Sequence, residues 1–233
     1  GYLEVKEDLS YKGPIDKFIP DDMKAEIREI ASLKAGDTIF FIADKEKQAA
    51  LYAGQLRNEL GQRLDLLEKN AYRFCFINDF PMYEYDEEQK KIIFTHNPFS
   101  MPQGGLEALT TKDPLELLAY QYDIVCNGVE LSSGAVRNHN LDIMVKAFEI
   151  AGYTEEDLKE KFGALYNAFQ YGAPPHAGMA PGVDRMIMLL RNEENIREVI
   201  PFPMNGNAQD VMCGAPNEVS EMQLREVHIK VRK

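Results

Sequence analysis

The spacing of apolar and polar residues changes several times along the chain, and each change predicts a different element. In residues 21–33 (DDMKAEIREIASL) acidic residues come first and Met23, Ile27 and Ile30 follow at helical spacing, which predicts a helix closed by Gly36-Asp37. TIFFIAD predicts a short buried strand, and KEKQAALYAGQLRNELGQRL predicts an amphipathic helix. We therefore expect a small α+β unit over residues 1–73.

After residue 73 the pattern predicts mainly strands first and long helices later. The segments YRFCFINDFP and KIIFTHNPF predict two strands joined by an acidic loop, YEYDEEQKK, and DPLELLA predicts a short helix. Asn127-Gly128 predicts a hairpin, and two long helices follow, the second opened by a capping box of Thr154 and Asp157. This order favours an α+β fold over a doubly wound sheet.

Composition narrows the class of protein. The 233 residues carry a net charge of −12, which argues against a protein whose main task is to grip a nucleic-acid backbone. No apolar run reaches the roughly 18 residues of a membrane span, and the first ten residues lack a signal-peptide pattern, so we expect a cytosolic protein. Cys75, Cys126 and Cys213 lack the spacing of a zinc site, and each is expected to be a small core residue.

Polar residues that the hydrophobic pattern does not require occur first in FTHNPF and NGVELSSGAVRNH. His96 enters a loop at a strand end, where it is either functional or an ordinary surface residue. Glu130 and Arg137 flank the small residues Ser133 and Gly134. Residues seven apart on a strand face opposite sides, so these two share a pocket only if the small-residue stretch between them bends or bulges. The alternative is an ion pair at a sheet edge.

A second candidate is the stretch YGAPPHAGMAPGVDRMIMLL. Its glycines and prolines predict a loop, and the apolar run that follows predicts a core helix. Asp184 and Arg185 lie at the N-terminal end of this helix, which we call its mouth. A helix N-terminus attracts anions, whereas an arginine there opposes the helix dipole, so Arg185 suggests a nucleotide-triphosphate site. The alternative is a surface cap. Neither G-x-x-x-x-G-K-[ST] nor G-x-G-x-x-G is present.

These segments resemble those of a known protein family. GMAPGVDRMIMLL resembles motif 3 of class II aminoacyl-tRNA synthetases, and DFPMYE, THNPFSMP, NGVELSSGAVRNH, FQYGAPPHAG and NIREVIPFPMNGNAQDVMCGAP resemble the bacterial-type aspartyl-tRNA synthetase family. YKGPIDKF and GDTIFFIAD resemble the GAD domain inserted in that family's catalytic domain. The resemblance implies a class II antiparallel sheet with flanking helices over residues 74–216, a partial insertion domain over 1–73 and a C-terminal segment over 217–233.

Carried over residue by residue, the resemblance implies an L-aspartate pocket. His96 would contact the amino acid, Arg137 would pair with its side-chain carboxylate, and Ser133 and Gly134 would line the pocket. An arginine that forms a bidentate pair suits this role, because a bound asparagine, which is uncharged, would leave the guanidinium without an anionic partner.

The resemblance also implies an ATP site. Glu130 would bind ATP, through Mg²⁺, and Gly182, Val183, Asp184 and Arg185 would receive the triphosphate, with Arg185 on the terminal phosphate. Glu130 and Arg185 would be the catalytic residues. The implied partners are ATP, L-aspartate, tRNA(Asp) and a second copy of the full-length enzyme in a homodimer, with no membrane.

The chain departs from the family pattern in what it lacks. Motif 1, the F-R-x-E strand of motif 2 and a preceding anticodon-binding β-barrel are not found. We therefore expect the C-terminal part of such an enzyme, entered within the inserted domain and inactive alone. Two other functions stay open: a class II-like ammonia-dependent asparagine synthetase, which the inserted block disfavours, and a non-catalytic interaction module.

Overall fold

The computed structural model describes residues 1–232, in two compact units that divide between Ala71 and Tyr72. The division lies two residues before the predicted limit at residue 73. The first unit contains three strands and two helices: β1 (Tyr2–Val5), β2 (Tyr11–Lys12), α1 (Asp21–Ile30), β3 (Thr38–Phe40) and α2 (Glu46–Arg63). Its antiparallel sheet has the order β2-β1-β3.

The core of the first unit is small. Leu3, Val5 and Tyr11 are buried, and partly buried apolar residues pack against them. The helix predicted over 21–33 is confirmed, but it ends at Ile30 rather than at Gly36-Asp37. The expectation of a buried strand at TIFFIAD is wrong, because β3 is a three-residue edge strand and Phe40 is exposed.

The second unit runs from Tyr72 to the end of the described residues. Its six strands and five helices are β4 (Phe74–Pro81), β5 (Tyr83–Asp86), β6 (Lys91–Phe94), α3 (Gly105–Thr111), β7 (Leu118–Cys126), β8 (Val129–Val136), α4 (Leu141–Ile150), α5 (Glu155–Phe169), β9 (Ala177–Pro181), α6 (Val183–Leu190) and α7 (Glu221–Glu226). The helix α3 was missed by the sequence pattern, and DPLELLA contains only a 3-10 turn at Pro114–Glu116.

The main sheet has the order β4-β7-β8-β9, and every neighbouring pair is antiparallel. The predicted α+β class is therefore confirmed. The acidic segment expected to be a loop begins instead with β5, which pairs with β6 in a separate hairpin. Tyr83 is buried, and its hydroxyl donates to the Ala147 carbonyl oxygen at 2.9 Å. Burial of this side chain favours the strand, although the segment is rich in acidic residues.

The hairpin at Asn127-Gly128 is confirmed. Both residues have positive φ, 50° and 82°, which matches a two-residue turn of type I′ between β7 and β8. The bend expected in the small-residue stretch is present as a bulge, but it lies one residue before Ser132. Ile124 pairs with Ser132 whereas Val125 pairs with Glu130, so Leu131 is an extra residue in β8.

Helices α4 and α5 enclose one of the second unit's buried clusters. Thr154 and Asp157 form the predicted capping box at the start of α5. Met144, Phe148, Leu158 and Tyr166 are buried together. A second buried cluster joins Tyr83 of β5 to α3, β7 and α4. Phe162 has non-helical angles (φ −128°, ψ 29°) and kinks α5.

Two expectations about the GMAPGVDRMIMLL stretch are wrong. Residues 177–181 form β9 rather than a loop, because β8 offers a free edge to pair with. Helix α6 is not a core helix, since only Met188 is buried and Val183 and Leu190 are largely exposed.

The cysteine expectation holds for only one residue. Cys126 is buried in the sheet, whereas Cys75 and Cys213 are exposed. Within residues 1–232, no helix combines the length and the apolar character that a membrane crossing requires.

We predict that Gly134→Ala destabilises the second unit. An added Cβ would lie 2.4 Å from the Tyr122 ring and 2.5 Å from the Gly178 carbonyl oxygen, and such overpacking costs about 1–3 kcal/mol. Urea unfolding measures the loss. Gly206→Ala, outside the helices and strands of the same unit, is the control, because nothing lies within 4 Å of its added Cβ. Equal stability of the two variants would contradict the packing assignment.

We also predict a pH effect at the start of α5. Hydrogen bonds from the Thr154 backbone N–H and hydroxyl lower the pKa of Asp157 below 3.8. A lowered folded-state pKa stabilises the fold above the unfolded pKa, and this stabilisation is lost as the pH falls through the folded pKa. In an NMR carboxyl titration, Thr154→Ala should raise the Asp157 pKa and Thr154→Ser should not. An unchanged value in Thr154→Ala would refute the assignment.

Candidate functional site

The bulge brings Glu130, Ser133 and Arg137 to one face of the sheet, which we call the candidate face. Glu130 pairs with Val125 and Ser133 pairs with Asp123, two residues apart on β7, so their side chains point the same way. Arg137 follows on this face, because an added Cβ at Gly178 would lie 3.7 Å from its guanidinium. Without the extra residue in β8, Glu130 and Arg137 would face opposite sides.

The mouth of α6 is tied to the same bulge. The Gly182 N–H donates to the carbonyl oxygen of Leu131 at 2.7 Å. Arg185 Nη1 donates to the Glu130 carbonyl oxygen at 2.8 Å and lies 3.1 Å from Glu130 Oε1. The two side chains are 44% and 47% exposed, so this ion pair is open to a ligand.

Gly182, Val183 and Asp184 form the approach to this ion pair. Gly182 is the N-cap of α6, and the N–H groups of the first turn have no acceptor within the helix. Val183 and Asp184 are exposed, and the Asp184 carboxylate has no hydrogen-bond or ion-pair partner among residues 1–232. Asp184 also suits the dipole of α6. The helix mouth is thus accessible beside Arg185.

Arg137 is a half-buried cation without an anion. Its backbone N–H donates to the His176 carbonyl oxygen at 2.9 Å. Its guanidinium has no hydrogen-bond or ion-pair partner in the part of the chain that the structure describes. It lines a cavity of about 240 Å³ whose other walls are mostly apolar: Phe99, Asn138, Leu165, Phe169 and His176. A buried charge is stabilised by a partner, so this position favours a carboxylate ligand.

His96 lies on the loop beside the Arg137 end of β8. Its exposed ring packs edge-on against Phe80, with centroids 5.1 Å apart. The Asn97 carbonyl oxygen accepts from Gln121 Nε2 at 3.3 Å, and Ser100 forms a bridge with Arg137. The structure therefore brings this loop to the candidate face, although among residues 1–232 no hydrogen bond or ion pair joins the His96 side chain to Glu130 or Arg185.

Ser133 and Gly134 have different surroundings. Ser133 is exposed on the candidate face. Gly134 alternates to the other face, where the Tyr122 ring and the Gly178 carbonyl oxygen occupy the space that a side chain would need. Packing alone therefore requires a glycine at this position.

Asp123 is a candidate residue that the sequence reasoning missed. It lies opposite Ser133 on the face that carries Glu130, and its carboxylate has no partner among residues 1–232. The sequence feature that could have identified Asp123 is an acidic residue within an otherwise apolar stretch of β7 (YDIVC). In the described chain no three His, Cys, Asp or Glu side chains are grouped closely enough to hold a metal alone. Two carboxylates plus ligand phosphates are, however, a common magnesium site.

Comparison with known proteins gives the class. The family model described as tRNA synthetases class II (D, K and N) matches residues 5–206. The chain therefore belongs to the class II tRNA synthetases, and its antiparallel sheet with flanking helices fits that assignment.

The relatives give a more particular likeness. The chain is 58% identical over 231 residues to the aspartate–tRNA(Asp/Asn) ligase of Zymomonas mobilis, covering 99% of this chain and 39% of that protein. It is 56% identical over 232 residues to the aspartate–tRNA ligase of Streptomyces avermitilis, covering 100% of this chain and 40% of that protein. The aspartyl tRNA synthetase structure from Entamoeba histolytica aligns with a TM-score of 0.44 at 22% identity, over 80% of this chain and 31% of that one. The chain spans about two fifths of the length of these curated relatives.

We predict that the Arg185–Glu130 ion pair contributes little to stability. Exposed pairs contribute about 0–1 kcal/mol, so Arg185→Met should lower the free energy of unfolding by less than about 1 kcal/mol. The matched control is Lys146→Met, which removes a similarly exposed pair with Glu149 at 3.2 Å. A loss above roughly 2 kcal/mol for Arg185→Met alone would show that Arg185 holds the fold together.

Proposed function

We propose that the full-length protein is an aspartate–tRNA ligase and that this chain supplies its aspartate pocket and part of its ATP site. The half-buried, unpaired guanidinium of Arg137, on the same sheet face as the open Glu130–Arg185 pair, carries the proposal. One cation is available for a carboxylate and the other for a phosphate. The names of the relatives, at 53–58% identity, support the same activity.

The two cations bind different substrates: Arg137 binds the amino acid and Arg185 binds the nucleotide. Arg137 donates two hydrogen bonds to the side-chain carboxylate of L-aspartate, a bidentate pair that a neutral asparagine cannot form. His96, on the loop tied to the Arg137 end of β8, contacts the amino acid, and Ser133 lies on the floor between the two cations. This arrangement selects an acidic amino acid rather than a merely small one.

ATP lies across the mouth of α6. Arg185 binds the terminal phosphate, and Gly182, Val183 and Asp184 contribute first-turn backbone to the triphosphate. Binding of the phosphate releases Arg185 from Glu130, whose carboxylate then becomes free. Glu130 and Asp123 would hold Mg²⁺, which would neutralise phosphate charge when bound.

The reaction has two steps. An oxygen of the aspartate α-carboxylate attacks the α-phosphorus of ATP and pyrophosphate leaves, which forms aspartyl-adenylate. A terminal ribose hydroxyl of tRNA(Asp) then attacks the acyl carbon, loses its proton and displaces AMP. The chain's residues align the two substrates and stabilise the negative charge on the departing pyrophosphate. A homodimer of the full-length protein and a cytoplasmic location belong to the same proposal.

We predict that Arg137→Leu in the full-length protein lowers kcat/KM for aspartate by about a hundredfold or more, because two charge-assisted hydrogen bonds are lost. The KM for ATP should change by less than about threefold, since the triphosphate lies at Arg185. Aspartate-dependent ATP–pyrophosphate exchange measures both values.

The control for this experiment is Arg191→Leu, which removes an exposed arginine just beyond α6. It should leave both KM values unchanged. No exchange by the unmodified full-length protein would refute the proposed function, and normal aspartate kinetics in Arg137→Leu would refute the assignment of Arg137.

A further inference from the structure

The kink in α5 points to a residue outside the candidate face. Sharp kinks arise at prolines, at glycines or where a side chain intrudes into the helix, and here the break at Phe162 precedes Gly163. The Phe162 ring packs edge-on against Phe99, with centroids 5.0 Å apart, and against Phe148 at 5.9 Å. The kink therefore coincides with a contact between α5 and the His96 loop.

Phe99 connects this aromatic cluster to the candidate site. Its ring also packs against Phe148 at 5.6 Å, so one face of the loop is held by two rings from two helices. Its N–H donates to Asn97 Oδ1 at 2.9 Å, and its carbonyl oxygen accepts from the Asn138 N–H at 2.8 Å. The ring is thus fixed by the helices, while the backbone of Phe99 fixes the loop and the residue after Arg137.

Phe99 also forms a wall of the cavity that Arg137 lines, together with Phe169 and His176. The cavity is mostly apolar, so Phe99 offers the guanidinium no hydrogen-bond acceptor in its side chain. A smaller side chain would let the loop and Arg137 change position together. Misplacement of a binding group by about 1 Å lowers activity up to a hundredfold. A change in this wall would therefore weaken aspartate binding by displacing Arg137.

We propose that Phe99, held by Phe162 at the α5 kink, is a positioning residue for the aspartate pocket. It fixes the distance between the His96 loop and Arg137 without touching the substrate. The inference rests on the proposed function for its kinetic consequence, but the mechanical link between Phe99 and the Arg137 segment stands on the contacts alone. Phe99 is more than thirty residues from Arg137 in sequence.

The test uses Phe99→Leu in the full-length protein. We expect the KM for aspartate to rise about tenfold while kcat and the KM for ATP change less than about threefold. Phe162→Leu should give the same selective change, smaller in size, because Phe99 keeps its contact with Phe148. The control is Tyr153→Leu, since Tyr153 packs on Phe148 at 5.8 Å without a ring contact to Phe99.

Hydrogen exchange measured by mass spectrometry separates this inference from the proposed function. In Phe99→Leu, peptides covering residues 96–101 and 137–140 should exchange about tenfold faster, and the β5–β6 hairpin should not change. An inactive unmodified protein would refute only the proposed function. Unchanged exchange in these peptides, or an unchanged aspartate KM in an active and folded Phe99→Leu protein, would overturn the positioning role.

Discussion

One extra residue in one strand determines what the sheet can offer a ligand. The bulge at Leu131 reverses the alternation of β8, so that Glu130 joins Ser133 and Arg137 on one face. The carbonyl oxygen of the same residue accepts the Gly182 N–H and so fixes the mouth of α6 beside Glu130. The placement of Glu130 and Arg185 relative to Arg137 therefore depends on a single backbone irregularity.

The site combines cations that differ in environment. Arg185 is exposed and already paired with Glu130, which suits a phosphate that exchanges one anionic partner for another. Arg137 is half-buried, unpaired and walled by apolar side chains, which suits a small carboxylate of fixed geometry. In the proposed function, this difference in burial assigns ligand selection to Arg137 and stabilisation of phosphate charge to Arg185.

Sequence reasoning succeeded where the determinants are local. The hairpin at Asn127-Gly128 and the cap at Thr154 depend on a few adjacent residues, and the bulge followed from requiring Glu130 and Arg137 to share a face. It failed where the structure of a segment depends on residues that are distant in sequence but close in the fold. Strand β9 forms from low-propensity residues because β8 pairs with it, and Asp123 gains meaning only from its register opposite Ser133. The apolar residues of α6 suggested a core helix, whereas burial depends on what packs against a helix and not on its composition.

The bulged face of β8 is proposed to bind both an amino acid and a nucleotide. A crystal structure of the full-length protein with L-aspartate and a non-hydrolysable ATP analogue would locate both ligands. We expect the aspartate side-chain carboxylate on the Arg137 guanidinium and the terminal phosphate on Arg185, with Glu130 and Ser133 between them. Ligands on the opposite face, which carries Ser132 and the Tyr122 ring, would contradict it.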